Sequence, residues 1–354
     1  MADKIRIKDI AERAGVSVGT VDRVLHNRPN VSHQALEKIN HVLEEINYKP
    51  NVYASALAYN KSYTFVLFIP VHTSEAYWQE IEEGVRKAEE VHSDFNITIK
   101  IVYYKRLDDK DFGQKAHECM DYNPDGIVVV PGGLDVTRRF TDHLHKSGIP
   151  FVMLDSYMPD THPLAFFGQD SFSSGYFAAK MLMLIAGNDK QIMLMRQTRN
   201  GLLATRQQEN REAGFRHYML ENMPKTQIIT LDLPAEGAKE TYDSMLEAFF
   251  RTHPGVHHCF TLNSKAYLIG EYLLENNRHD IQVMGYDMVP RNAECLEKGS
   301  ISFLIAQHGY QQGYSCMDAL FRAIVLKRQV EQLNYMPIEL LTKENYKFYR
   351  RTQM

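Results

Sequence analysis

Along residues 7–46 apolar positions recur every three or four residues, and after residue 62 they gather into short continuous runs. The first pattern predicts amphipathic helices, the second strands alternating with helices. Ile7, Ile10, Ala11 and Ala14 share one helical face, and Gly15-Val16 breaks that helix where a tight turn needs a residue without a Cβ. Ser17 is a natural N-cap for a second helix, which turns Val21, Val24 and Leu25 inward and Val18, Gly19, Asp22 and Arg23 outward. A loop, Pro29-Asn30-Val31-Ser32, precedes a third helix patterned on Ala35, Ile39, Val42, Leu43 and Ile46. Two short helices around a glycine occur in many cores. In a DNA reader, however, the outward positions at the start of the second helix are the ones that reach base edges in a major groove.

From Tyr63 the strand signatures are 64–70, 97–103, 126–131 and 150–155, with helices expected from Trp78 to His92, Phe112 to Met120 and Thr137 to Lys146. A second series is read as beginning with Phe166-Phe167 and a helix from Ser173 to Ala186. It continues through strands 191–195, 226–231, 257–262 and 281–286 and helices 205–221, 236–251 and 265–276. Strand 301–306, helix 310–326 and strand 338–342 close the pattern. Such βα alternation predicts parallel sheets covered by helices on both faces.

The chain has 354 residues, 44% hydrophobic and 24% charged, which suits a globular protein of two or three domains. It contains neither a signal-like n-region with an apolar h-region nor eighteen consecutive apolar residues, so a cytoplasmic location and no membrane partner are expected. Cys119, Cys259, Cys295 and Cys316 are far apart and read as buried thiols. The net charge of −4 does not by itself suggest nucleic acid. Residues 1–60 hold eight Lys/Arg against seven Asp/Glu, so DNA contact would rest on local placement of cations and helix N-termini.

The run Asp9-Ile10-Ala11 to Ala14-Gly15-Val16-Ser17, then Thr20-Val21, Arg23-Val24-Leu25, Tyr48, Pro50-Asn51, Ala54 and Leu57, resembles the lactose-repressor (LacI/GalR) family of transcriptional regulators over about sixty residues. The resemblance implies a helix-turn-helix domain over 1–50 and a hinge helix and linker over 51–61. It implies DNA contacts from Ser17, Val18, Gly19, Thr20, Asp22, Arg23, Asn51, Ala54 and Leu57, the last as a minor-groove wedge. Asp22 stands where the family more often has Ser. A carboxylate there either accepts from a cytosine amino group or orients Arg23 or His26. The implied partners are a pseudo-palindromic double-stranded operator and a second copy of the chain. No apolar heptad in 347–351 suggests a further coiled coil.

Two doubly wound parallel-sheet lobes facing a cleft resemble the type I periplasmic-binding-protein fold, over 62–345. One lobe is expected at about 62–165 and 291–328, the other at about 166–290 and 329–345. Ligands of open parallel sheets sit beyond the carboxyl ends of strands. There the chain places Asp155, Asn263, Asp287 and Gln307, with Tyr77 and Trp78 opening the helix after the first strand and Arg211 in Arg211-Glu212-Ala213-Gly214-Phe215. Asp and Asn after strands are also ordinary turn residues. Carboxylates, amides and a guanidinium beside aromatic faces are what a sugar needs. The resemblance to ribose-type binding proteins implies that these residues, with Glu75, hold a monosaccharide or polyol.

Three departures leave the sugar open: Glu75-Ala76 where Asn-Pro is common, Ser264 where Asp often follows Asn263, and Ser156 where some sugar binders have Arg. A phosphorylated ligand would call on Arg199 and Arg206, and a purine is a further option. No cofactor, metal or catalytic residue is expected: Gly-x-Gly-x-x-Gly, Walker, Gly-x-Ser-x-Gly and His-Glu-x-x-His motifs are missing from the sequence. His253, His257 and His258 read as core or surface histidines, the last two opening an apolar strand run without a carboxylate nearby. The expected protein is a DNA-binding regulator controlled by a sugar-like effector. The alternative is a cytoplasmic sugar-binding protein or sugar-handling enzyme with a vestigial head.

Overall fold

The computed structural model describes residues 6–25, 29–46, 61–73, 77–187, 190–199, 201–203 and 205–351. They fall into two units, divided at residues 60 and 61.

In the first unit, α1 (Ile7–Ala14) ends on Gly15, whose φ of 62° is the left-handed conformation that closes a helix. The Val16 amide donates to the Ala11 carbonyl at 3.0 Å, and α2 (Val18–Leu25) follows at once. Ser17 caps it: the Thr20 amide donates to Ser17 Oγ at 3.1 Å. Helix α3 (His33–Glu45) is capped by Ser32, which accepts from the Ala35 amide. Ile10, Ala11, Ala14, Val21, Ile39 and Val42 form the core.

The second unit contains two sheets. The first runs β12-β5-β4-β3-β1-β2, built from β1 (Tyr63–Pro70), β2 (Ile97–Tyr104), β3 (Gly126–Val129), β4 (Phe151–Leu154), β5 (Ala165–Gly168) and β12 (Leu333–Tyr335). Every pairing in it is parallel, as in Leu67 opposite both Ile101 and Val128. Residues 65–70 of β1 are all buried, as a central parallel strand covered on both faces must be. Helices α4 (Tyr77–Val91), α5 (Asp109–Asp121) and α6 (Leu134–Lys146) supply the crossovers.

The second sheet runs β13-β11-β10-β9-β6-β7, with β8 also paired to β6. Its strands are β6 (Gln191–Arg199), β7 (Leu202–Leu203), β8 (Gln227–Pro234), β9 (His258–Thr261), β10 (Gln282–Tyr286), β11 (Phe303–Ala306) and β13 (Glu339–Leu341). Its helices are α7 (Ser171–Ala186), α8 (Arg206–Asn222), α9 (Lys239–Thr252), α10 (Tyr267–Glu275) and α11 (Pro290–Lys298). Helix α12 (Gly309–Leu320), ending in a π-helical turn at Phe321–Val325, packs on α4, and α13 (Tyr346–Arg351) follows β13.

Sheet membership departs from the expected lobes. Phe166 and Phe167 lie in β5 and belong to the first sheet, paired with Met153 and Leu154. Strand β11 joins the second sheet, with Gly285 opposite Leu304, although 291–328 was expected in the first lobe. Strand β12 returns to the first sheet, opposite Phe166 to Gly168. The chain thus passes between the sheets after β5, after β11 and after β12. At these passages the buried Gln169 amide donates to the carbonyls of Ala306 (2.9 Å) and Pro337 (2.7 Å). It ties the end of β11 to the segment that leads into β13.

Candidate effector site between the two sheets

Two carboxylates end strands on opposite sides of the cleft. Asp155 follows β4 and Asp287 follows β10, both with positive φ (70° and 68°), which Asp tolerates better than most residues. Both are buried. Burial raises Asp155 above the ordinary carboxylate range, opposed by the charges of Arg106 and Arg211 and by a hydrogen bond from Gln207. Burial pushes Asp287 up to about 7, opposed by Arg211 and the bond from Gln307.

Arg211 and Gln307 join these acids into one network. Gln307, just past β11, donates Nε2 to both oxygens of Asp287 at 2.9 and 2.8 Å. The Arg211 guanidinium, 1% exposed, donates to Gln307 Oε1 and, at 2.9 Å, to the Leu262 carbonyl. It lies over the Tyr286 ring, 3.6 Å from its centroid. The position of Arg211 depends on how closely α7 and α8 approach. A Cβ on Gly175 would stand 2.0 Å from the Arg211 carbonyl oxygen, and one on Gly214 2.0 Å from that of Phe172. Gln207, one turn before Arg211, donates to Asp155 at 2.9 Å and to Gln307 at 3.1 Å, so it links the two sides of the cleft.

Asn263 donates to Gln197 Oε1 at 2.9 Å and accepts from the Lys265 amide at 3.0 Å. Tyr77 and Trp78 open α4, both buried, their rings in edge contact at 5.2 Å. Burial, with the fields of Asp155 and Asp287, holds the Tyr77 phenol well above the ordinary tyrosine range, so it remains a donor. These residues line a cavity of about 300 Å³ together with Arg106, Lys265 and Gln208. Tyr77 Oη, Arg211 Nε and Gln197 Nε2 are buried without a hydrogen-bond partner. Orphaned buried donors cost about 1–3 kcal/mol each. Three of them on the wall of one cavity suit a ligand rich in acceptors.

Of the residues expected to hold an effector, Tyr77, Trp78, Asp155, Arg211, Asn263, Asp287 and Gln307 all line this cavity. Glu75 lies outside the described residues, as do Asn51, Ala54, Leu57 and His26. Gln197, Gln207, Gln208, Arg106 and Lys265 were not anticipated. Arg199 and Arg206 do not line the cavity: both are exposed, and Arg199 donates to the Leu107 carbonyl at 2.5 Å. His257 does have a carboxylate nearby, Asp280 at 3.6 Å, contrary to expectation. Among the described residues no group of three or more His, Cys, Asp and Glu could hold a metal ion. The four cysteines are buried and free. No described helix is long and apolar enough to cross a membrane.

In the head, Ser17, Val18, Gly19 and Arg23 are exposed, Val18 at 48%, while Thr20 and Asp22 are half-buried. The Ser17 and Thr20 hydroxyls lie 2.8 Å apart.

The model for the lacI family of bacterial regulatory proteins matches residues 6–51, and that for the periplasmic binding protein domain residues 65–328. A solved protein of Bacteroides fragilis, assigned as a LacI transcriptional regulator, is 43% identical with a TM-score of 0.79, covering 82% of this chain and 100% of that one. The Bacillus subtilis HTH-type transcriptional repressor ExuR is 34% identical over 160 residues, 44% of each chain. Catabolite control protein A of Priestia megaterium is 29% identical over 43% of this chain and 44% of its own. The match therefore spans less than half the length of these two relatives. The ribose operon repressor of Halalkalibacterium halodurans is 24% identical over 80% of each chain.

Proposed function

The chain belongs to the lacI family of bacterial regulatory proteins, and on that premise we propose that it is a transcriptional repressor whose operator affinity is set by a monosaccharide or polyol in the cleft. The observation that carries the effector half is the cavity itself. Asp155, Asp287, Gln307 and Arg211 offer paired donors and acceptors, and three buried donors on its wall have no partner. Sugar hydroxyls satisfy both kinds of group, and Tyr77 and Trp78 offer apolar surface to a C–H face.

For the DNA half, the exposed start of α2 presents Ser17, Val18, Gly19 and Arg23, suited to entering a major groove. One such head makes few contacts, so the functional species is a cytoplasmic homodimer on a pseudo-palindromic operator. Asn51, Ala54 and Leu57 are proposed to extend contact into the minor groove. The chain performs no catalysis in this reading.

The test pairs two measurements on the full chain. Fluorescence anisotropy with the promoter DNA of its own gene should show salt-dependent binding that is lost on deleting residues 1–60. A thermal-shift panel of pentoses, hexoses, polyols, sugar acids and sugar phosphates should yield a stabilising compound that also changes operator affinity. A stabilising sugar with no DNA binding under any condition would favour a sugar-binding protein with a vestigial head.

A further inference from the structure

The cavity wall carries two cations outside the hydrogen-bonded network built on its acids. Asp155, Asp287, Arg211 and the glutamines are joined by hydrogen bonds, while Arg106 and Lys265 line the same cavity without such a bond to them, although the charge of Arg106 acts on Asp155. The Arg106 guanidinium lies over the Trp78 ring at 5.2 Å, and Lys265 Nζ donates to the Ala235 carbonyl at 3.2 Å. Among the described residues, neither has a carboxylate oxygen within the 4.0 Å of an ion pair. Lys265 is half-buried. Burial and the nearby charge of Arg106 lower its pKa, and exposed Glu236 opposes them from a distance.

Several cations elsewhere in the same lobe are matched. Arg196 meets Asp232 and Glu212, Arg291 meets Glu271, and Lys239 meets Asp243 and Glu275. The charge of Arg106 is offset by that of Asp155, but Lys265, partly desolvated and without an ion pair, is costly on a cavity wall unless a ligand brings the missing charge. Asp155 and Asp287 disfavour an anionic group beside them and welcome hydroxyls. A volume of about 300 Å³ is at the small end of ligand sites, enough for one sugar unit.

We propose that the effector is a sugar acid, with its hydroxyls on Asp155, Asp287, Arg211 and Gln307 and its carboxylate between Lys265 and Arg106. This rests on the sugar-effector reading above and narrows it. The test is calorimetric titration of the full chain with D-galacturonate and D-glucuronate, their neutral parents D-galactose and D-glucose, and D-glucose 6-phosphate. At least one acid should bind about ten- to a hundredfold more tightly than its parent, as one charge-assisted contact allows. Lys265→Met should collapse that ratio towards one, and Lys265→Arg should preserve it. Neutral sugars binding as tightly as their acids, or a ratio unmoved in Lys265→Met, would overturn the anionic assignment and leave the sugar reading standing. Tighter binding of the 6-phosphate than of either acid would overturn the choice of carboxylate. Failure of every neutral and anionic sugar would overturn both readings.

Discussion

Replacing Arg211 by Met removes the guanidinium while keeping most of the apolar stem. At 1% exposure the lost charge was not shared with water. Leu262 O and Gln307 Oε1 lose a donor, although Gln307 keeps Gln207. Breaking a buried charged network in this way costs about 3–5 kcal/mol, which for a domain of this size is on the order of 10 °C in Tm. The cost should also depend on pH. Asp287 moves from 3.8 when unfolded to about 7 when folded, and Arg211 is what opposes the rise. A carboxyl with a raised folded pKa contributes stability that is complete below the unfolded value and is lost as pH climbs through the folded one. In the parent chain that loss ends near pH 7. Without Arg211 the folded pKa is higher, so the variant goes on losing about 1.4 kcal/mol per pH unit. Urea unfolding of both chains at pH 6.0 and 8.5 measures this, and the deficit should be larger at 8.5. Equal deficits at the two pH values would refute the coupling of Arg211 to Asp287. An unchanged stability would refute the buried network altogether. Effector affinity should fall by about tenfold to a hundredfold in the same variant.

Two glycines in helices should respond oppositely to alanine. Gly175→Ala drives a Cβ to within 2.0 Å of the Arg211 carbonyl oxygen and should destabilise by about 1–3 kcal/mol or more, whereas Gly113→Ala in α5 meets nothing within 4 Å and should stabilise by about 0.5–1 kcal/mol. Thermal melts giving both the same sign would contradict the α7–α8 contact. Asp22→Ser removes a negative charge from the recognition helix and should raise affinity for unrelated DNA by up to about tenfold at low salt. Loss of preference at a single base pair would support direct readout by the carboxylate, and unchanged selectivity would reject it.

The head and the strand ends were legible in the sequence because their determinants are local. Gly15 and Ser17 carry their turn and cap in their own chemistry, and the apolar spacing around them names the buried face. Asp155, Asp287 and Gln307 could be found because strands ended by polar residues put those residues at a predictable edge of a parallel sheet. Sheet membership could not be read in the same way. Strands β5, β11 and β12 look alike in sequence whichever sheet they join, since pairing is settled by long-range packing and by where the chain crosses. Nor could Gln197, Gln207, Gln208, Arg106 and Lys265 be singled out. Helix α8 is polar almost all round, so periodicity does not say that Gln207 and Arg211 face inward. Only the second sheet packed beneath them, and the close approach that Gly175 and Gly214 permit, turned a solvated-looking run into the wall of a cavity.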